Sequence, residues 1–274
     1  MRIVCRNFTM AFVPLLFVVL VGAAEEVPEL VTDRPDQTES AVAVPPGFTQ
    51  LELGWTHTEE NEDGEDFEAD TFPETLIRYG LVEDLELRLG FSGYAWEELD
   101  DGTGTEQDFE GWQDTEVGFK YRLWDEDSSR CLPEAALLAH LSLPTGAEGH
   151  TSERFDPNFR FSFAHTLTDR LDFGYNLGMV WETGEDDRGE RDTTAAFQYT
   201  AALGMGITER LGAFVEFFGD IPVNGPGGPR NSFDGGFTYL VSDNFQFDIE
   251  AGTGLSDDAD DWFFGVGVAY RFPK

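Results

Sequence analysis

The stretch RLDFGYNLGMVWE, residues 170–182, decides how the rest of the chain is read. Its odd positions are Leu171, Phe173, Tyr175, Leu177, Met179 and Trp181; between them stand Asp172, Gly174, Asn176, Gly178, Val180 and Glu182. Successive side chains of a β-strand point to opposite faces, so one face here is bulky and apolar while the other is mostly small and polar. That apolar face meets either a protein core or lipid, and the remainder of the chain chooses between them.

Eleven further segments alternate in the same way: 48–58, 71–81, 85–95, 112–123, 133–143, 154–167, 194–207, 211–221, 232–241, 245–255 and 262–272. With the opening stretch they predict twelve strands. Four connections repeat one short pattern, LVEDL (81–85), LTDRL (167–171), ITERL (207–211) and VSDNF (241–245). Three polar-leaning residues between two apolar ones suit a three-residue hairpin. WDEDSSRC (124–131) is a longer but compact fifth. Between them fall larger, wetter connections at 59–70, 96–111, 144–153, 182–193, 222–231 and 256–261. Short and long connections therefore take opposite ends of the sheet, and an even strand count with that asymmetry is the pattern of an outer-membrane barrel.

Composition limits the alternatives. The chain has 274 residues, 17 basic and 54 acidic, a formal net charge of −37. A polyanion repels such a chain, which excludes a general nucleic-acid binder. Twenty-five phenylalanines exclude a disordered acidic tail. Arg2 and Arg6, the apolar run from Phe8 to Val21 and Gly22-Ala23-Ala24 read as a secretory signal over residues 1–24. Loss of its two arginines takes the charge from −37 to −39. Cys5 precedes the apolar run and so is no lipoprotein acceptor; Cys131 is then left alone, and no intramolecular disulfide can form. No other apolar stretch reaches the length of a membrane helix. A spanning structure must then be a closed barrel, because only helices and barrels satisfy every backbone group in lipid.

A soluble sandwich also alternates, with its apolar faces inward. Three features favour lipid instead. Trp55, Trp112, Trp124, Trp181, Trp262 and Tyr270 lie near strand ends, as interfacial girdles require. Segments of ten or more residues exceed the usual globular strand. The polar face mixes both charge signs with glycine. The expected fold is an all-β, transmembrane, antiparallel up-and-down β-barrel of about 12 strands, with short periplasmic turns and longer acidic extracellular loops. Residues 48–274 form the barrel, 25–47 an extended periplasmic or lumen-inserted segment, and both ends of the mature chain fall on the periplasmic side.

Three stretches carry a family resemblance: LVTDRPDQTESAVAVPPGFTQLELGW (30–55), YGLVEDLELRLGF (79–91) and DTEVGFKYRLW (114–124). They resemble the meta-pathway phenol-degradation family of bacterial envelope proteins, often labelled "transporter". The likeness runs through the whole mature chain, and Thr32-Asp33-Arg34-Pro35-Asp36 is its most specific part. It implies an outer-membrane β-barrel and uptake of aromatic or other hydrophobic compounds, and it supplies no catalytic residues.

On the inward face, Arg78, Arg88, Lys120, Arg122, Arg160 and Arg271 stand among carboxylates that include Asp172, Glu216, Asp234, Asp248 and Glu250. They form either a charged constriction that selects solutes or braces that pair with Glu74, Glu86, Asp114, Glu116 and Asp156. Inner-face glycines, Gly90, Gly118, Gly174, Gly178, Gly204 and Gly267 among them, favour free space. Asp33, Arg34, Asp36 and Glu39 belong either to a periplasmic linker or to a plug in which Arg34 pairs with lumen acids. The acidic runs 59–70 and 256–261 match no EF-hand spacing; they read as solvated loops that attract divalent cations weakly. His140 and Ser142 share a strand face, but no G-x-S-x-G or H-E-x-x-H occurs, so neither an enzyme nor a cofactor is expected.

Two functions remain. One is a channel for passive uptake of small, aromatic or hydrophobic solutes through a charged narrow lumen, with membrane lipid and solute as its partners. The other is a structural or adhesive barrel with a filled lumen. A barrel hydrolase ranks third.

Overall fold

A computed structural model describes residues 28–62, 65–100, 102–103, 106–185 and 191–274. The expected leader over 1–24 lies outside them. Fourteen strand segments form one antiparallel sheet that closes on itself through the pairing of β1 (Thr49–Glu62) with both β2 (Glu65–Val82) and β14 (Trp262–Phe272). The lower part of β2 pairs with β3 (Leu85–Phe91) and its upper part with β4 (Tyr94–Asp100). These two are one wall strand interrupted at residues 92–93. In the same way β5 (Glu106–Trp112) runs on into β6 (Thr115–Trp124) across residues 113–114. The wall is therefore a closed, twelve-stranded antiparallel barrel. It continues through β7 (Glu134–Leu143), β8 (Asp156–Thr168), β9 (Leu171–Glu185), β10 (Arg191–Gly206), β11 (Leu211–Asn224), β12 (Arg230–Ser242) and β13 (Phe245–Gly254). No helix among the described residues is long and apolar enough to cross a membrane.

In β9 the odd positions of the opening stretch face outward and the even ones inward. Leu177 is 41% exposed, while Asn176, Gly178 and Val180 are buried. The outer aromatics form a continuous belt: Phe161 stacks on Phe163, and Phe163 on Tyr175 across the strand pair at 4.9 Å. Trp55 donates its indole N–H to Asp70 at 3.0 Å and Trp262 to Glu59 at 2.8 Å. Such rings bury an apolar body while their one donor stays with a polar group.

Three of the four short connections are tighter than the sequence suggests. Val82 pairs with Leu85, Thr168 with Leu171 and Ser242 with Phe245, leaving two-residue turns with a bulge on the incoming strand. The first of the three loop residues joins the ladder, and the strand absorbs the offset by its extra twist. At the other end the correction runs the opposite way. Residues 59–62 with 65–70, and 96–100 with 106–111, are strands rather than loops. Their acid-rich sequences lack apolar alternation because both faces of these tall hairpins meet water, while the backbone ladder continues unchanged. Of the long connections, 144–155 and 255–261 do run free of strands.

Inside the barrel lies the segment from residue 28 to 47. It enters at the short-turn end, where Arg271 donates to the carbonyls of Pro28 and Glu29 at 2.5 and 3.0 Å. It leaves at the same end beside Gly80, whose carbonyl accepts from Gly47 N–H at 2.7 Å. A Cβ at Gly80 would overlap the carbonyls of Val44 and Pro45, so only glycine lets the two backbones approach this closely. Ala41 packs on Ala136 and Leu138 of the inner wall. Both described chain ends thus lie at the short-turn end.

Candidate functional site

The segment is held by polar contacts along most of its length. Asp33 is the hub. Its carboxylate receives Lys120 Nζ at 2.8 Å, Arg88 Nη1 at 2.6 Å and Arg78 Nη1 at 3.1 Å. Its own N–H donates to Glu52, 3.1 Å from Oε2. Glu86 accepts from Arg78 and Arg88, both at 2.9 Å, and its second oxygen takes the N–H of Val44 at 2.7 Å. Glu39 closes the group by accepting from Arg88 at 2.8 Å. All three cations are buried. Such charges are tolerated out of water only when paired and hydrogen-bonded.

Further along, the tip of the segment is bonded to the opposite wall. Gln37 N–H donates to Glu216 at 2.7 Å, and the Thr38 hydroxyl reaches both Glu216 and Thr200. Glu39 N–H donates to Asn176 Oδ1 at 2.8 Å, and Asn176 and Ser162 both donate to the Glu39 carbonyl. Arg34 turns to the remaining wall, 3.3 Å from Glu74 and 3.4 Å from Asp248.

Two cavities flank this tip. One, of about 220 Å³, lies toward the tall hairpins and is lined by Arg160, Gln198, Thr200, Phe218, Asp220 and Ser232. The other, of about 340 Å³, lies toward the short turns; Leu30, Arg34, Asp172, Ala202, Phe214 and Thr238 line it. Gln37 borders the first, and Asp36 and Thr38 border the second. The segment tip therefore stands between them as a constriction.

The inward residues divide accordingly. Arg78, Arg88 and Lys120 join Asp33 and Glu39 in one locked network, while Asp172 is exposed to the inner cavity and Arg160 lines the outer one. Glu216, Asp248 and Glu250 are buried beside the segment tip. Arg122 instead sits at the short-turn rim against Asp84 and Asp125, and Arg271 clamps the entering chain. Neither touches the constriction. Of the expected braces, Glu86 does pair with Arg78 and Arg88, while two others bond elsewhere. Asp156 bonds Thr183, and Asp114 accepts the N–H groups of Thr145, Gly146 and Ser152 at 2.8–2.9 Å, fastening the 144–152 loop. Burial, the largest influence on Asp114, acts to raise its pKa. The N–H donors of Ser152 and Gly146 outweigh it and hold the carboxyl below the usual range.

Several inner glycines do not leave free space. Room at Gly90 is taken by Glu116, at Gly118 by His140, at Gly204 by Asp172 and at Gly267 by Arg34. His140 bonds Asn158 at 3.2 Å. Among the described residues no three His, Cys, Asp or Glu groups are placed to hold a metal ion.

This architecture, a polar-lumened barrel with an apolar outer belt, is the class seen in outer-membrane β-barrels. The COG4313 outer membrane channel from Pseudomonas putida F1 superposes with a TM-score of 0.66 at 12% identity, covering 85% of this chain and 98% of that one. The translocator domain of autotransporter NalP from Neisseria meningitidis gives 0.57 at 10% identity, over 82% and 87%. The β domain of the Bordetella autotransporter BrkA gives 0.54 at 11%, over 82% and 100%. By sequence, the chain belongs to the family described as "Putative MetA-pathway of phenol degradation", matched over residues 32–272. That span takes in the lumen segment from Thr32 onward as well as the wall. No curated protein matches the chain.

Proposed function

We propose that this protein is an outer-membrane channel through which small solutes pass, with residues 28–47 forming a lumen segment that narrows the path. The observation carrying this reading is the pair of cavities on either side of the Gln37–Thr38 tip, within a wall whose outer face is an unbroken apolar belt. Membrane lipid and the solute are then its two partners, and the short turns face the periplasm. The inner cavity joins Phe214, Leu30 and Ala202 to Asp172, Asp36 and Thr238, a mixed lining that suits a small solute with an apolar part and a polar one. The outer cavity is lined by Arg160, Gln198, Asp220 and Ser232, so the solute passes between two polar-walled chambers. No step of this kind requires bond chemistry, and we assign the protein no enzymatic role.

The tight ion-pair network around Asp33 favours a second reading, a filled barrel that conducts nothing. Planar-bilayer conductance of the full chain and of a variant lacking residues 28–45 separates the two. A small wild-type conductance that rises on deletion is expected. Equal conductance and an equal solute size cutoff in both would remove the segment from the path. Silence from both would favour the filled barrel.

A further inference from the structure

The two sides of the lumen are charged differently. On the β2, β3 and β6 side every cation is matched to carboxylates at 3.1 Å or less. On the β11 to β13 side the balance fails. Glu216 and Asp234 are directly opposed in the β11–β12 register, and Glu250 and Asp248 follow on β13. Asp36 of the segment faces Glu216, Asp234 and Glu250. Among the described residues, both oxygens of Asp234, which is 1% exposed, receive no hydrogen bond from any donor; neither do Asp248 Oδ2 and Glu250 Oε2, and all three residues are buried. Asp234 meets Glu250 at hydrogen-bonding range, a contact that supplies no donor while both are ionised. Two guanidinium groups reach this set and both are shared. Arg34 divides itself between Asp248 and Glu74, and Arg160 faces Glu39 as well as Glu216.

The location of these acids matters as much as their number. On β11, Glu216 stands between Phe218, which lines the outer cavity, and Phe214, which lines the inner one. On β12, Asp234 stands between Ser232 of the outer cavity and Thr238 of the inner one. Along both strands these carboxylates thus lie between the linings of the two cavities. Unpaired, buried carboxylates demand neutralisation, by a cation or by a proton, and opposed like charges repel until something supplies it.

We propose that Glu216, Asp234 and Glu250, with Asp36 on the segment tip, form a carboxylate filter between the two cavities that takes hydrated monovalent cations and rejects anions. A dehydrated divalent ion is a poor fit, since no three of these groups are placed to ligate one metal. A hydrated ion is held through its own water, which supplies the donors that Asp234 and Glu250 lack. The filter rests on the channel reading above and adds its charge selectivity. Ringed carboxylates are a general means of admitting cations.

The test is the zero-current potential of the full-length protein in a planar bilayer under a KCl gradient, for wild type and for D234N/E250Q. Wild type should pass potassium several-fold better than chloride, and the double variant should lose most of that preference. A conducting wild type with no preference, or one for chloride, would overturn the filter while leaving the channel intact. An E216Q single variant gives the same readout should the double variant fail to assemble. If no conductance is found at all, the channel reading falls, and the site is judged by thermal unfolding of the detergent-solubilised barrel. A higher midpoint in KCl than in choline chloride at equal ionic strength, abolished in the variant, supports cation binding. Equal midpoints overturn it, as they must if protons alone neutralise the cluster.

Discussion

At the scale of single residues, Asp33 has the most to lose. Its side chain is 1% exposed and faces three buried cations. Removing one partner of a buried ion group leaves uncompensated charge, with a typical cost of about 3–5 kcal/mol. Asp33→Ala is therefore expected to lower the thermal midpoint of the folded barrel markedly, read from its heat-modifiable gel mobility. A midpoint equal to wild type would mean that the segment adds nothing to stability. Asp114 gives a pH prediction. Its folded pKa is depressed, so the stability it contributes is fully present above the ordinary carboxylate value of about 3.9 and is lost as pH falls through its lowered pKa. Pepsin cleavage within residues 144–152 should rise toward the acid extreme in wild type and be fast even at mildly acidic pH in Asp114→Ala. The partners of both residues are distant in sequence, so neither role could be read from local spacing.

At the scale of elements, period-two alternation did most of the work. In β9 it separates Leu177, which faces outward, from Asn176, which bonds both the N–H and the carbonyl of Glu39. Leu177→Arg places a cation near the middle of the apolar belt and is expected to cost about 2–4 kcal/mol, measured by urea unfolding of the barrel in lipid vesicles. An unperturbed midpoint would argue that this face does not meet acyl chains. Alternation failed in the tall hairpins, such as residues 59–62 and 65–70, because water on both faces leaves no apolar period to see. It also misjudged some of the inner glycines, although Gly174 and Gly178 do border the cavities. A small residue signals missing bulk at its own position, and at Gly204 and Gly267 that room is filled by Asp172 and Arg34.

At the scale of the whole molecule, the outer surface decides how the protein must be handled. Its apolar side chains are exposed around the entire wall, from Leu87 through Phe161 and Phe217 to Phe247. An exposed apolar surface of that extent marks a contact with something other than water. The protein should fractionate with membranes, need detergent for extraction, and migrate differently before and after boiling. Recovery in buffer alone would be fatal to the transmembrane reading. Net charge works in the same direction: the strongly acidic balance is concentrated in the tall hairpins and lumen, and the outer belt carries little of it.

The sequence by itself determined the strand faces, the wall count and the asymmetry of the two ends, because each follows from side-chain period and loop length, which are local. It also singled out the charge-rich start around Asp33 and Arg34 without saying what those groups touch. Only the tertiary structure decided that. Arg34 meets Asp248 across 214 positions, and Asp33 meets Lys120 across 87. Such pairings depend on how the sheet closes and on where the segment threads the lumen. Closure and threading set distances across the barrel, and no periodicity along the chain encodes a distance measured through its interior.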